Sequence, residues 1–476
     1  TASNNTFGGS GSGASNTAND NTAFGFQALY ANTTGSGNIG VGCSSLRANT
    51  TGTQNTALGY HALKANTTGY YNVAIGYNAL ITETTGNGNV AIGYEALKVA
   101  VGDNNTAVGL QALTACTTGT ANTAVGDGAL ESTTTGDDNV AIGRNALEGN
   151  TTGSKNHGIG RQALYLNTTG SDNVAVGYQA LYNNTTANDN VATGYFALHS
   201  NTTGTSNTAI GHYALEDADA SWNTAVGDLT MANCTTGHNN TAVGHNAMAA
   251  GVLTGTHNTA VGVNVLNNLT TGTYNSCLGH LAGYDITTGG TNALIGRNAG
   301  ENITTGSSNT AIGGMDAAKD ITTGDQNIMI GRASGTSSSP SGSITTEDYR
   351  VCIGNNNVTN CYIKVDWTVT SDRRDKTDIE PFNHGLSWIN KLNPVTYRWD
   401  NRSNYEDGVP DGSKKGTQLN VGLIAQDELE VEKEHGYGDT PDNMLVTDVN
   451  ADGNYGMKYS KLVPILINAV KELSAK

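Results

Sequence analysis

Apolar and polar positions repeat along this chain with a period of seventeen residues, from its first residues to about residue 335. Clear copies are Asn72-Val-Ala-Ile-Gly76, Asn139-Val-Ala-Ile-Gly143 and Asn309-Thr-Ala-Ile-Gly313, and in most copies an Ala-Leu pair and then Thr-Thr-Gly follow. The anchoring glycines run Gly8, Gly25, Gly42, Gly59, Gly76, Gly93, Gly109 and onward to Gly296, Gly313 and Gly331, slipping by one at a few joints, which makes twenty copies. An asparagine stands four residues before each, from Asn4 through Asn173 to Asn327. A fixed short period implies a stacked array in which each unit buries its apolar face against its neighbours. Helical-hairpin repeats need about thirty residues or more, so this unit is too short to be one.

Within the unit, the residue before the glycine is bulky and apolar (Ile75, Val108, Ile142, Val176, Ile210), and the one before that is usually Ala. This alternation predicts a strand. The Ala-Leu station (Ala62-Leu63, Ala79-Leu80, Ala163-Leu164, Ala180-Leu181) predicts a second strand. Thr-Thr-Gly predicts a turn whose glycine is free to adopt positive φ. The expected fold is mainly β, a seventeen-residue-repeat β-roll or narrow β-helix solenoid. All six prolines, from Pro340 to Pro464, lie beyond the repeats, as an unbroken inter-rung ladder requires. The asparagine column reads as an amide ladder, with tolerance of a turn backbone as the alternative. Twenty rungs at about 4.8 Å predict a shaft on the order of 95 Å.

So thin a coil encloses too few apolar side chains to offset its ordering entropy. The Ala and Gly positions on the opposite strand face would let another backbone approach, which predicts several chains side by side, three of them. Near the end Gly283, Gly300 and Gly335 take the Leu column while Ile286, Ile303 and Ile321 appear a few residues later, so the core is refilled from another position.

A formal net charge of −17 argues against nucleic acid as a partner. No run approaches the roughly eighteen apolar residues of a membrane span, and no signal peptide is visible. The first residue is Thr1, so upstream sequence is expected. Cys116 and Cys234 share a column seven rungs apart, about 34 Å, too far to bridge. Cys352 and Cys361 are the one conceivable pair among six cysteines, and free buried thiols are the preferred reading. The Asn-Thr-Thr triplets match the glycosylation acceptor pattern, but that follows from the turn motif itself. Asp448-Val-Asn-Ala-Asp-Gly453 resembles the start of a calcium loop, but its twelfth position is Tyr459 rather than Glu, so a hairpin turn is expected. No metal and no cofactor is expected.

After a Ser/Gly-rich joint at Ser334 to Ser343 the composition changes, with Trp367, Trp388 and Trp399 and most of the Lys and Arg. Val351 to Trp367 reads as strands. Val421-Gly-Leu-Ile-Ala-Gln426 reads as an apolar strand running into the charged stretch Asp427 to Glu434. The end of the chain reads as an amphipathic helix with Pro464 near its first turn. Four motifs occur in order: Ser371-Asp372-x-Arg374-x-Lys376, Leu392-Asn-Pro-Val-Thr-Tyr-Arg-Trp399, Gly422-Leu-Ile-Ala-Gln426 and Tyr459-Ser460-Lys461-Leu462. Their order over residues 370–476 resembles the endosialidase-type intramolecular chaperone, the self-cleaving C-terminal domain of phage tail fibres and tailspikes. The repeats resemble the β-roll heads of trimeric adhesins.

The resemblance implies three parts: a shaft over residues 1–335, a linker and β neck over 336–369, and an α+β chaperone and autoprotease domain over 370–476 ending in a helix. It implies a homotrimer, assembled in the host cytoplasm and carried on a virion or outside the cell. The family's cleavage would fall at Thr370–Ser371, with Ser371 as nucleophile and Lys376 as general base. Asp375 departs from the family, which carries an apolar residue there. The leading function is a fibre that attaches to a host-surface receptor or glycan of unknown identity, its only enzymatic step one autocatalytic cut. The alternatives are a bacterial cell-surface trimeric adhesin and an ice-binding solenoid. Carboxylate pairs suited to glycan hydrolysis are absent from the rung columns.

Overall fold

The computed structural model describes residues 3–364, 368–402, 405–450 and 453–476. It forms two compact units, Thr1–Asn292 and Ala293–Lys476. The first is a parallel β-solenoid of seventeen strands, each of three residues, from Thr6–Gly8 to Ser276–Leu278. Pairing is in register: Val174 lies beside Val191, Ala175 beside Ala192 and Val176 beside Thr193. Each column of the sequence repeat is therefore a column of the structure. At the first rung Gly8 pairs with Phe24, so Gly9 and Asn5, rather than Gly8 and Asn4, hold the anchoring columns. Asn5 Oδ1 accepts the Asn21 backbone N–H at 2.8 Å, as the other column members do in later rungs.

The strand face expected to bury is the wrong one. The central Ala of each strand (Ala74, Ala141, Ala209) is fully buried inside the coil. The bulky residue before the glycine points outward, with Ile142 42% and Ile210 41% exposed. Inside, the central strand position meets the Ala of its own coil and the Leu of the preceding one, as at Gly158, where a Cβ would lie 3.2 Å from Ala163 O and from Leu147 Cδ1. Leu63, Leu80 and Leu147 are all fully buried. The lumen is narrow, and a small residue on the strand makes room for the leucine opposite. Small residues therefore face inward and are not a docking flank.

The second strand is also absent. Each rung has one strand, and its Ala-Leu segment is a turn with Leu in the left-handed region (Leu63 φ 52°, Leu164 φ 54°). Left-handed backbone costs about 1–2 kcal/mol for an L-residue, offset here by full burial of the side chain. This side is still laddered: Leu63 N–H donates to Ala79 O at 2.9 Å and Ala65 N–H to Ile81 O at 3.1 Å. Alternating turn conformations thus make inter-rung bonds without extended strand. The Thr-Thr-Gly glycine does not use positive φ either. Glycine is favoured there by a close approach, a Cβ at Gly69 lying 2.4 Å from Gly86 O in the next rung, although Ala187 and Ala220 hold the same column in later rungs. Positive φ belongs to the anchoring column, as at Gly76 (φ +137°).

Two asparagine columns line the coil. In the first, side-chain oxygens accept main-chain N–H groups of the next rung (Asn38 Oδ1 from Asn55 N, 3.0 Å), and amides donate to the turn glycine (Asn55 Nδ2 to Gly69 O, 2.8 Å). In the second, missed in the sequence, amides bond directly rung to rung: Asn49 to Asn32 and Asn66 to Asn49, both at 2.7 Å. This second column is the Asn of the Asn-Thr-Thr triplets. Asn32, Asn49 and Asn66 are fully buried, so the triplets offer no accessible amide for glycosylation. The first Thr of each pair donates its hydroxyl to the next rung, as Thr50 Oγ1 does to Thr67 O at 3.0 Å. Their hydrogens are thereby committed to the next rung rather than to water, which weakens the ice-binding alternative.

In the second unit four further strands stack in parallel: Ala293–Arg297, Thr310–Met315, Ile328–Ile330 and Val351–Ile353. Ile303 and Ile321 are fully buried in the column that holds Asn in earlier rungs, as does Ile286 in the first unit, so the refilled core is real. The strand reading of Val351 to Trp367 holds only for Val351–Ile353; Gly354 to Lys364 carries no strand, and Val365, Asp366 and Trp367 lie outside the described residues. All six cysteines are free.

Past residue 370 the chain forms a small α+β structure: α1 (Leu386–Ile389), α2 (Ala425–Glu434) and α3 (Leu462–Ser474), with two short antiparallel pairs. Buried Trp388, Val446, Leu462 and Ile465 form its core. Pro464 is the third residue of α3, where its missing N–H costs no helical bond. The calcium-like run sits on a hairpin, Thr447–Val449 against Tyr455–Met457. Its Asp448 pairs with Lys458 at 3.1 Å, while Ala451 and Asp452 lie outside the described residues.

Candidate functional site

Ser371 and Lys376 are brought together by a single turn. Asp372 caps the 3-10 turn Arg373–Asp375, its carboxylate accepting Arg374 N–H at 2.9 Å. The Arg374 guanidinium closes on the same carboxylate, with Nη2 2.6 Å from Oδ2. Those bonds hold the Asp372 carboxyl below its usual range, the guanidinium first and the backbone N–H second. One turn of 3-10 helix advances the chain so that Lys376, back in extended conformation, returns its ammonium to Ser371 Oγ at 2.5 Å. Among the described residues Asp375 makes no ion pair with Lys376. Ser371 and Lys376 are both exposed, and so is Thr370.

The other three motifs converge separately. The Asn420–Gly422 strand pairs with Val395–Tyr397, setting Gly422 beside Val395. Tyr459, from the closing motif, accepts the Leu423 backbone N–H on its hydroxyl at 2.9 Å. A Cβ at Gly422 would lie 2.6 Å from that hydroxyl and 3.2 Å from the Tyr397 ring, so only glycine fits between the two tyrosines. Among the described residues, no hydrogen bond joins residues 371–376 to this cluster; all those they make are local.

Sequence reading missed two buried carboxylates in α2, taking Asp427 to Glu434 as simply charged. Trp388 Nε1 donates to Glu428 Oε1 at 2.7 Å, and burial pushes the Glu428 carboxyl up despite that bond. Glu432 accepts the backbone N–H groups of Val446 and Thr447 and the Thr447 hydroxyl. The available signal was their i, i+4 spacing, on one face with Ala425 and Leu429, which is the buried face. These carboxylates tie α2 to the hairpin and to α1.

Residues 371–437 match the family described as chaperone of endosialidase. The match opens on Ser371 itself and takes in three of the four motifs; Tyr459 to Leu462 lies beyond it. No curated protein and no solved structure matches the chain. A C-terminal chaperone-of-endosialidase domain behind a solenoid of stacked seventeen-residue turns fits the phage fibre suggested by the sequence. No helix among the described residues is long and apolar enough to cross a membrane.

Proposed function

We propose that the chain is a trimeric phage-type fibre for host-surface attachment, whose C-terminal domain gathers three copies and then releases itself at Thr370–Ser371. The solenoid and the chaperone domain support a fibre-like protein, and the family implies trimeric assembly. The outward apolar column of the strands supports companion chains as well. Burying the exposed part of one isoleucine such as Ile142 contributes on the order of 1–2 kcal/mol, and the column repeats at nearly every rung.

The observation that carries self-release is the 2.5 Å approach of Lys376 Nζ to Ser371 Oγ at the opening residue of the family match. In the reaction a neutral Lys376 amine takes the Ser371 hydroxyl proton, and Oγ adds to the Thr370 carbonyl carbon. The Thr370–Ser371 C–N bond breaks, leaving an ester on Oγ and a free Ser371 amine that takes up the proton. Water then hydrolyses the ester to a Thr370 carboxylate and the restored hydroxyl. A neutral amine is favoured by burial, and both side chains are exposed in one copy, so the covering surface comes from assembled partners. Cleavage then follows trimer formation.

The test is the full chain on a denaturing gel with native mass measurement. Two products meeting at residue 370 are expected from the wild type, and a single full-length band from both Ser371→Ala and Lys376→Met. A wild type that stays full length refutes self-release; a monomeric mass at micromolar concentration refutes the trimer.

A further inference from the structure

Basic residues in the first unit are few and unevenly placed. Residues 21–82 contain Arg47 and Lys64 and no Asp or Glu, in a chain of formal net charge −17. The two stand on neighbouring rungs, each five residues past its anchoring glycine. Their separation is held by the ladder: Ala31 N–H donates to Arg47 O and Ala48 N–H to Lys64 O, both at 3.0 Å. Three other cations of the first unit are neutralised or stacked, and the fourth, Lys155, stands alone rather than beside a second cation. Lys98 lies 3.1 Å from Glu95, Arg144 3.6 Å from Asp127, and Arg161 sits 5.7 Å over the Tyr178 ring. Among the described residues Arg47 and Lys64 have no acidic partner. Both charges also reach His61, whose ring burial holds below its usual range, with Lys64 and then Arg47 adding to the effect.

The two cations flank a surface groove of about 510 Å³. Half-exposed Tyr30 stands at one end and Ile81 at the other, and the methyl groups of Ala31, Ala48 and Ala65 line it between them. Like charges on neighbouring rungs, whose backbones lie about 5 Å apart, repel each other, and an anion between them removes that repulsion. The aromatic ring and the methyl-lined floor suit the apolar face of a pyranose rather than a fully polar ion. Two cations are too few for a polyphosphate, which draws its affinity from many neutralised charges and is repelled by the acidic remainder of the chain.

We propose that this groove is a binding site for a carboxylate-bearing saccharide, with the carboxylate between Arg47 and Lys64 and a sugar ring against Tyr30 and the alanine floor. The proposal gives a ligand class to the solenoid and rests on reading it as an attachment surface. It is independent of cleavage at Thr370–Ser371.

Calorimetric titration of the full chain with hexamers of galacturonate and of mannuronate, neutral maltohexaose and hexathymidylate tests it. A uronate hexamer binds and weakens as salt rises, while maltohexaose gives no measurable heat. Arg47→Ser with Lys64→Ser lowers that affinity at least tenfold, and Tyr30→Ser alone weakens it without changing the salt dependence. All three side chains reach solvent, so unchanged thermal unfolding of the variants is expected. Absence of uronate binding, equal affinity in the double variant, or tighter binding of hexathymidylate would each overturn the proposal. Native mass of the same samples separates the two readings: a trimer that ignores uronates refutes the groove alone, and a monomer that binds them refutes the fibre alone.

Discussion

Glu83 occupies a place where the structure calls for an amide. It stands in the second asparagine column, one rung past Asn66, and is fully buried. Its Oε1 accepts the backbone N–H groups of Thr85 at 3.0 Å and Gly86 at 2.5 Å. Its Oε2 is buried without a partner, and so is Asn66 Oδ1, the ladder oxygen that a donor at position 83 would satisfy. Two acceptors adjoin in the ladder with no hydrogen between them, unless the carboxyl carries its proton. Burial raises the Glu83 pKa most, against the lowering effect of the Gly86, Thr85 and Thr84 backbone groups, and the Asp103 charge raises it further. The buried Cys116 thiol is the other titratable neighbour, and it too feels the Glu83 charge. A protonated Glu83 donates to Asn66 and completes the ladder.

Glu83→Gln supplies that hydrogen permanently. One net hydrogen bond is worth about 1 kcal/mol and an unsatisfied buried acceptor costs about 1–3 kcal/mol, so the variant gains about 2–4 kcal/mol wherever wild-type Glu83 is ionised. The folded carboxyl titrates above its unfolded value, so the folded state holds more protons between the two. Wild-type stability is therefore complete below the unfolded pKa and falls as pH rises through the folded one. Hydrogen exchange at the Thr85 and Gly86 amides reads this locally, in an array that need not unfold as a whole. At pH 8, Glu83→Gln should slow exchange about thirty-fold or more relative to wild type, and near pH 4 the two should agree. A difference that does not vary with pH, or faster exchange in the variant at pH 8, would refute the protonated ladder.

Three further outcomes follow from the same geometry. Asn173→Ala removes bonds to Asn156 Oδ1 at 3.1 Å and Ala187 O at 2.8 Å, and strands the Asn190 N–H it accepts at 3.0 Å; a loss of about 2–4 kcal/mol in chemical denaturation is expected. Burial pushes the Cys116 thiol up to about 11 and the Cys234 thiol up to about 12, whereas Cys361 is exposed. A thiol reagent at pH 8 should therefore label Cys361 quickly, half-buried Cys43 more slowly, and the four buried thiols only after unfolding; three or more fast equivalents would contradict the packing. Gly422→Ala should separate the two tyrosines, cost about 1–3 kcal/mol by overpacking and abolish any self-release at Ser371, seen as lower thermal stability and a single band.

Much of the candidate site was legible because its motifs are short and local. Ser371 and Lys376 sit five residues apart, and one capped turn is enough to join them. The convergence of Tyr397, Gly422 and Tyr459 was not legible, since it depends on a strand pairing and on a helix start sixty residues away. Glu428 and Glu432 were hidden for another reason. A carboxylate in a charged run reads as solvated, and only the packing of α2 shows that every fourth residue turns inward. The second asparagine column was overlooked because the Asn-Thr-Thr triplet also matches a modification signal.

From the sequence alone came the period, the single-rung unit, the parallel stacking and the absence of proline from the ladder. Each follows from identity at fixed spacing, since identical units must stack in register to satisfy their backbone groups. Which side of the strand faces inward was decided only by the tertiary structure. Both sides of the pleat are apolar, Ala on one and Ile or Val on the other, so alternation names two faces without ranking them. The ranking comes from the width of the coil: a leucine crossing from the opposite turn fills the lumen, and only a methyl group fits against it.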